Sequence, residues 1–206
     1  MNDTTDTRQQ ILEAAMERIV HYGYSKTTMS EIAKDCNMSA GNIYRFFASK
    51  LDIAEAIGRK FNSELYQTYA SICRKPITAA DRLRQFFEFS MVRTYEALEE
   101  KDKLVELAET LADERPLFMN EQLAQERVYL VQILENGIVA GEFRPLDRKE
   151  ETAEMIQASM MKFRFPQMFS HLTLPKLKRE LAGVMDLVLA GLSAGAVVPE
   201  RQIDKF

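Results

Sequence analysis

An arginine, an asparagine and a tyrosine follow a serine and a glycine in the stretch SAGNIYR, residues 39–45. A guanidinium can donate two hydrogen bonds to guanine or one to a phosphate, and a side-chain amide can pair with adenine. A phenol hydroxyl is suited to a phosphate oxygen, a contact that fixes register without reading sequence. That assortment of groups suits the surface of a DNA double helix.

The helical positions of these residues place the polar groups on one side. At 100° per residue, Gly41 and Arg45 point away from Ile43 and Phe47, which face inward. A glycine inside so short a helix lowers stability by about 1 kcal/mol relative to alanine. Close approach of the backbone at Ala40 and Gly41 to a groove would justify that cost.

The same stretch is compatible with an ordinary helical hairpin. Short capped hairpins occur in proteins that do not bind DNA, and Arg45 would then be merely solvated. Residues 1–50 contain six Lys or Arg and six Asp or Glu, and the whole chain has a net charge of −4. This balance argues against indiscriminate binding to nucleic acid or acidic membranes, so a DNA contact must come from a local surface. Lys50 adds positive charge beside the proposed face.

The elements that position this face are predicted to be helices. Hydrophobic periods near 3.6 dominate the 206 residues, and alternating strand patterns are absent. Thr28 with Glu31 forms a capping box before a second helix, Asn37 tolerates a left-handed turn after it, and Ser39 caps a third helix. Three capped helices within about 45 residues, the last two joined by a minimal turn, outline a helix-turn-helix.

Capping and breaking residues predict the remaining boundaries. Thr7 with Gln10 forms a capping box that should open the first helix, and Gly23 should end it. A fourth helix should start at Ser49. Further helices are predicted over residues 78–98, 103–112, 116–140, 148–165 and 173–192.

Other chemistry has little support. Cys36, Cys73, His21 and His171 lie far apart in the sequence and form neither a metal-ligand cluster nor a disulfide framework. No glycine-rich phosphate loop or serine elbow occurs. We therefore expect no metal and no cofactor. The polar, acidic N-terminus is not a signal peptide, and the weakly polar run 187–198 is too short to span a bilayer, so we expect a cytoplasmic protein.

A specific pattern of residues covers about the first 55 positions. It comprises residues 7–15 (TRQQILEAA), Gly23-Tyr24, Thr27-Thr28, Ile32-Ala33, residues 39–44 (SAGNIY), Phe47 and Lys50. This pattern is similar to that of the TetR family of bacterial transcriptional regulators. The rest of the chain resembles the family more loosely, in length, helix count and the turn Gly141-Glu142-Phe143.

The resemblance implies a three-helix headpiece and a six-helix domain that dimerises and often holds a small ligand. We therefore expect an all-α protein of about nine helices. Residues 1–50 would form the helix-turn-helix DNA-binding domain, and residues 51–206 the ligand-binding and dimerisation domain.

Carried over by position, the resemblance implies a recognition helix over residues 39–45. Four of its residues would face bases: Ala40, Gly41, Asn42 and Arg45. Tyr44 and Lys50 would contact phosphate. Thr28 would offer its hydroxyl and amide to the DNA backbone, and Ser30 would lie at the groove edge. Phe46 stands where relatives often carry His or Tyr, so partial burial is an equal alternative. The predicted DNA-binding residues are Thr28, Ser30, Ser39, Ala40, Gly41, Asn42, Tyr44, Arg45 and Lys50.

A single short helix reads too few base pairs to select an operator, so a twofold dimer and a near-palindromic site are expected. The last two helices are the natural interface, with Gly183 and Gly191 permitting close approach. The alternative is that the apolar faces of both helices pack against the core of their own protomer. The predicted interface residues are Met155, Ile156, Ser159, Met160, Leu181, Val184, Met185, Val188 and Leu192.

The middle helices are rich in methionine and aromatic residues, and the whole chain has eleven methionines. Methionine fills irregular spaces and adapts to varied ligands. Most of these side chains are equally explained as ordinary core, but a subset can line an apolar cavity. The predicted ligand-binding residues are Phe61, Phe86, Phe89, Met91, Tyr95, Phe118, Tyr129, Met161 and Phe163.

These expectations favour a dimeric repressor that binds double-stranded DNA and is released by a small, largely apolar ligand. One alternative is a regulator of the same architecture that is controlled by a partner protein or has no small-molecule input. A helical enzyme is disfavoured, because the chain offers no recognisable set of acid, base or nucleophile. Its carboxylates in the middle helices are more simply interpreted as solvated: Glu88, Glu96, Glu106 and Glu109.

Overall fold

A computed structural model describes residues 3–100, 103–164, 166 and 173–195. Its regular elements within those residues are α-helices, and an isolated antiparallel bridge joins Phe143 and Ser193. The helices are α1 (Asp3–Tyr22), α2 (Met29–Asp35), α3 (Ala40–Ile43), α4 (Lys50–Cys73), α5 (Ala79–Glu100), α6 (Lys103–Glu114), α7 (Pro116–Val139), α8 (Lys149–Ser159), α9 (Met161–Arg164) and α10 (Leu174–Leu192). The predicted all-α class is confirmed, with ten helices in the described residues instead of about nine.

The additional helix arises from a break at Met160. The sequence predicts one helix over residues 148–165, but Met160 leaves helical geometry with φ −99° and ψ 3°. Its N–H bonds to the carbonyl of Gln157, three residues back, instead of the residue four back. This tighter turn separates α8 from α9. The predicted end at Phe165 lies outside the described residues.

The predicted start of the first helix is wrong. Since α1 already includes Asp3, Thr7 and Gln10 lie inside the helix and do not cap it.

The capping pattern of the helix-turn-helix is confirmed in detail. The hydroxyl of Thr28 accepts from the Glu31 amide at 3.3 Å, and the Glu31 carboxylate accepts from the Thr28 amide at 2.9 Å. Asn37 has the expected left-handed conformation, with φ 55°. The Ser39 hydroxyl then accepts from the amide of Asn42 at 3.2 Å and begins α3.

The described residues divide into two compact units, and the division falls within α4, α5 and α7. The first unit covers residues 1–68 and 93–125. Its core joins buried isoleucines of the first four helices to Leu107 and Leu111 of α6 and Phe118 of α7. The three N-terminal helices therefore share a hydrophobic core with α4, α6 and the start of α7. The domain boundary between residues 50 and 51 stays a prediction.

The second unit covers residues 69–92 and 126–206, as far as they are described. Its interior contains an aromatic cluster in which the rings of Tyr69 and Phe86 stack with centroids 3.9 Å apart. It also contains a polar group, in which the buried Glu126 accepts hydrogen bonds from Gln157 and Arg164. Within the described residues, no helix is both long and apolar enough to cross a membrane.

Candidate nucleic-acid interface

The recognition segment is a single helical turn followed by a looser turn. The structure places α-helix over Ala40–Ile43, so the helix is shorter than the predicted residues 39–45. Tyr44 to Phe46 continue as a turn, in which the Arg45 amide donates to the Asn42 carbonyl at 3.1 Å. Ile43 is fully buried and fixes the inner side of the segment on the core.

The outer side of this segment is not covered by its own protomer. Ser39, Ala40, Gly41 and Arg45 are exposed, and Asn42 is half-buried. Tyr44 is 54% exposed, a high value for an aromatic residue. A Cβ atom built on Gly41 would meet no atom within 4 Å. The structure therefore brings these predicted DNA-binding residues together on one accessible surface.

Arg8 of α1 supports this segment, a role that the sequence pattern did not suggest. Its guanidinium donates to the Phe46 carbonyl at 2.8 Å and lies 4.0 Å from the centroid of the Phe47 ring. Phe46 is half-buried against the core, in agreement with the alternative of partial burial. The contact ties the end of the recognition segment to α1.

Thr28 and Ser30 are exposed at the start of α2. The Thr28 hydroxyl is already engaged, since it donates to the Glu31 carboxylate at 2.8 Å and accepts from the Glu31 amide. The hydrogen bonds from Thr28 hold the pKa of Glu31 below its usual value. Arg18 pairs with Glu31 at 3.2 Å and with Asp35 at 2.7 Å, and so balances both carboxylates of α2.

Lys50 lies at the first position of α4 and is half-buried. Its ammonium donates to the Tyr24 carbonyl at 2.8 Å and lies 4.1 Å from the centroid of the Tyr24 ring. Burial lowers the pKa of Lys50, and the negative charges of Glu106 and Glu31 oppose that shift. Its predicted phosphate contact stays a prediction, since within the protomer the ammonium faces Tyr24.

The interpretation of Glu106 as a solvated carboxylate is wrong. Its two oxygens accept hydrogen bonds from the amides of Tyr24 at 3.0 Å and Ser25 at 2.8 Å. These bonds join residues more than 80 positions apart, so no local pattern in the sequence signals them. Glu106 therefore belongs to the surroundings of the candidate DNA interface.

The nine predicted ligand-binding residues are divided between the two units. Phe61, Tyr95 and Phe118 belong to the first unit and the other six to the second. Phe86, Met91, Phe118 and Phe163 are buried core, and Met161 is exposed. Within the first unit, a half-open cavity of about 310 Å³ is lined by Leu12, Glu13, Met16, Glu17, Ile57, Lys60, Phe61, Glu64 and Arg93. Phe61 is the one predicted residue among them.

The predicted interface residues also fall into two groups. Five of them are buried inside the protomer: Ile156, Met160, Leu181, Met185 and Leu192. Met155 and Ser159 are exposed, and Val184 and Val188 are half-buried. Leu187 of α10 is 75% exposed, and it was not among the predicted interface residues. The α8 and α10 stripes therefore serve the core of the protomer in part, and their interface role stays a prediction.

Among the described residues, α2, a tight turn at Asn37 and the short, exposed, Ser39-capped α3 form the arrangement typical of helix-turn-helix DNA-binding regulators. Residues 11–57 match the family model of bacterial regulatory proteins of the tetR family. Residues 79–185, more than half of the chain, match the model of the tetracyclin repressor-like C-terminal domain. The chain belongs to the TetR family. It is a DNA-binding transcriptional regulator and not an enzyme.

Curated relatives and a solved structure agree with this assignment. The chain is 29% identical to the HTH-type transcriptional repressor KstR2 of Mycobacterium tuberculosis, over 67% of this chain and 70% of that protein. It is 28% identical to the uncharacterized HTH-type transcriptional regulator YhgD of Bacillus subtilis, over 92% and 98% of the two chains. Thermus thermophilus FadR, a TetR-family repressor solved in complex with lauroyl-CoA, has the same fold, with a TM-score of 0.67, 20% identity and coverage of 97% and 100%.

Proposed function

We propose that the protein is a repressor that binds a near-palindromic DNA operator as a homodimer and is released by a small, largely apolar ligand. The DNA-binding domain would be residues 1–50 and the regulatory domain residues 51–206. The observation that carries the DNA contact is the uncovered outer side of residues 39–45, where open space at Gly41 lies beside the exposed Arg45. A repressor works where the DNA is, which in a bacterium is the cytoplasm.

The proposed contacts follow from the groups that this surface offers. Arg45 and Asn42 would read base edges, because a guanidinium and an amide match guanine and adenine. Ala40 and Gly41 would let the backbone approach the groove closely. Tyr44 would bind phosphate and so fix the register of the protein on the duplex.

A twofold dimer would be built on the exposed parts of α8 and α10. Met155 is 62% exposed and Leu187 75% exposed, so both apolar side chains are available to contact a second copy. Cβ atoms built on Gly183 and Gly191 would meet no atom within 4 Å, so both glycines leave room for a second helix. The exposed residues Met155 and Leu187 are therefore better candidates for the interface than the five predicted residues that are buried in the protomer.

An effector with an apolar part is supported by two observations. The cavity beside α1 has an apolar lining from Leu12, Met16, Ile57 and Phe61. Thermus thermophilus FadR was solved with lauroyl-CoA, which carries a long acyl chain. A ligand can release DNA only if it binds the non-binding conformation more tightly.

Selection of duplexes from a random pool, followed by fluorescence anisotropy, tests the proposal. We expect an enriched, near-palindromic sequence that binds as one dimer. A library of acyl thioesters and other apolar metabolites should contain a compound that weakens this binding at least about tenfold. If no compound does so, control by a partner protein replaces the ligand. If no duplex is enriched, the repressor itself is contradicted.

A further inference from the structure

The turn between α1 and α2 is tied to α6 by a single carboxylate. Glu106 Oε2 accepts from the Tyr24 amide at 3.0 Å, and Oε1 accepts from the Ser25 amide at 2.8 Å. Hydrogen bonds to a charged partner are the stronger ones in proteins. Two adjacent amides of the connection that leads into the helix-turn-helix are therefore held by one side chain of another helix.

The turn is shaped to present these amides. Gly23 has φ 94°, and its carbonyl accepts from the Thr27 hydroxyl at 2.8 Å, while the Thr27 amide donates to the Tyr24 carbonyl at 3.1 Å. A Cβ atom at Gly23 would lie 2.7 Å from Glu106 Oε2. The positive φ favours glycine here, and any Cβ at this position would also push the Glu106 carboxylate away from its place beside the turn.

Tyr24 extends the connection to the far end of the recognition segment. Its carbonyl accepts from the Lys50 ammonium at 2.8 Å, and its ring lies beneath the same ammonium. The turn precedes α2, and Lys50 follows the recognition segment. Both flanks of the helix-turn-helix therefore meet at Tyr24, whose own amide is bound by Glu106.

The surroundings of Glu106 favour the charged form of its carboxylate. Hydrogen bonds from Ser25, through its hydroxyl and its amide, hold the pKa of Glu106 below its usual value, and the amide of Tyr24 and the charge of Lys103 act in the same direction. The carboxylate is therefore ionised at neutral pH. It also favours the charged form of Lys50.

We propose that Glu106 is a positioning residue for DNA recognition, holding the turn at Tyr24 and Ser25 and thereby setting the placement of α2 and the recognition segment on the first unit. The proposal rests on the DNA-binding function. Glu106 touches no DNA in this role. It acts through the backbone of the turn and through Tyr24 on Lys50.

The fold should survive removal of the carboxylate, because other contacts hold α6 within the first unit. Arg115, between α6 and α7, pairs with Asp52 at 3.0 Å and with Glu55 at 3.1 Å, both in α4. The shared core with Leu107 and Leu111 also remains. Loss of Glu106 should therefore loosen the turn without unfolding the unit.

The test compares Glu106→Ala and Glu106→Gln with Glu109→Ala, in the full chain. Glu109 is an exposed carboxylate of the same helix, so its removal changes the net charge equally. Affinity is measured by anisotropy for a duplex enriched from a random pool by the wild-type protein and for a duplex of scrambled sequence. Hydrogen exchange reports the amides of Tyr24 and Ser25, and thermal unfolding reports stability.

We expect Glu106→Ala to weaken binding to the enriched duplex about fivefold or more and binding to the scrambled duplex less than about twofold. Glu106→Gln keeps one acceptor oxygen and should fall between alanine and wild type. Exchange at both amides should accelerate in both variants. Glu109→Ala should resemble the wild type.

Two results would overturn the proposal. One is equal affinity of the Glu106 and Glu109 variants for the enriched duplex. The other is an equal loss for enriched and scrambled DNA, which indicates general damage to the fold and not positioning. If the alanine variant does not fold, Glu106→Gln is judged by the same criteria. Failure of the wild type to enrich any duplex would contradict the repressor function itself, together with this proposal.

Discussion

Replacement of Arg45 tests whether its guanidinium contacts a base or a phosphate. It is exposed in the turn after α3, and the structure shows no ion pair for it among the described residues. Arg45→Ala should weaken binding to the enriched duplex by about 1–3 kcal/mol if the guanidinium reads a base, and should relax preference at that position. Anisotropy against single-base variants of the duplex measures both. An equal loss on scrambled DNA would make Arg45 a phosphate contact.

At the residue scale, short-range chemistry was predictable and long-range chemistry was not. The capping box of Thr28 with Glu31 and the left-handed Asn37 depend on residues a few positions apart, so their patterns are visible in the sequence. The hydrogen bonds of Glu106 to Tyr24 and of Arg8 to Phe46 depend on how distant helices pack. Neither carboxylate nor guanidinium carries a local sign of such a partner.

At the scale of one helix, the capping box predicts a pH-dependent contribution to stability. The Thr28 hydroxyl is the largest cause of the lowered pKa of Glu31, whose ordinary value is 4.5. Because the folded pKa is depressed, the stabilisation is complete above about pH 4.5 and is lost as the pH falls through the folded value. Thr28→Ala should lower the free energy of unfolding at pH 7 by about 1 kcal/mol.

The difference between wild type and Thr28→Ala should shrink as the pH falls below 4.5, the ordinary value of the Glu31 carboxyl. Chemical denaturation at pH 7 and at pH 3 measures it. Thr173→Ala is the matched control, because Thr173 precedes α10 without a side-chain capping bond. A pH-independent difference, or an equal loss in the Thr173 variant, would contradict the role of the box.

Two glycines in helices predict opposite effects of the same substitution. A Cβ atom on Gly137 of α7 would lie 2.2 Å from Cδ2 of the buried Phe143, whereas one on Gly41 would lie in open space. Gly137→Ala should therefore cost about 1–3 kcal/mol of stability through overpacking. Gly41→Ala should leave stability unchanged or raise it by up to about 1 kcal/mol.

The same Gly41→Ala variant should bind the enriched duplex more weakly, because the added methyl group faces the groove. Denaturation curves give the stability of both variants, and anisotropy gives their affinity for DNA. Gly137→Ala should bind normally as long as it is folded. If Gly41→Ala bound the duplex as tightly as the wild type, close backbone approach would not explain the glycine in α3.

At the scale of the whole molecule, the helical class and the length of most helices followed from periodicity and breaking residues. The break at Met160 was missed, because it replaces one hydrogen bond by another without a glycine or proline at that position. The ligand-binding and interface residues could not be separated from core residues by sequence pattern. An apolar stripe such as Leu181 and Met185 is the same in sequence whether it faces the core of a protomer or a second copy.

On α10, the exposed fraction of each side chain separates residues that pack in the core from residues that are free to contact a second copy. A prediction about the proposed dimer follows. Leu187 is 75% exposed on α10, while Leu181 and Met185 are buried in the protomer. Leu187→Glu should therefore leave the fold intact and dissociate the dimer, because a charge in a paired apolar surface is costly to bury. Light scattering across a concentration series should show a protomer-sized species.

Val139→Glu provides the matched control for Leu187→Glu, since Val139 is 89% exposed at the end of α7 and has no proposed contact. It should remain dimeric and bind the enriched duplex as the wild type does. The Leu187 variant should bind a palindromic duplex no more tightly than a single half-site, because only one recognition segment then engages. A Leu187→Glu protein that stays dimeric and keeps its preference for the palindrome would place the twofold interface on another surface.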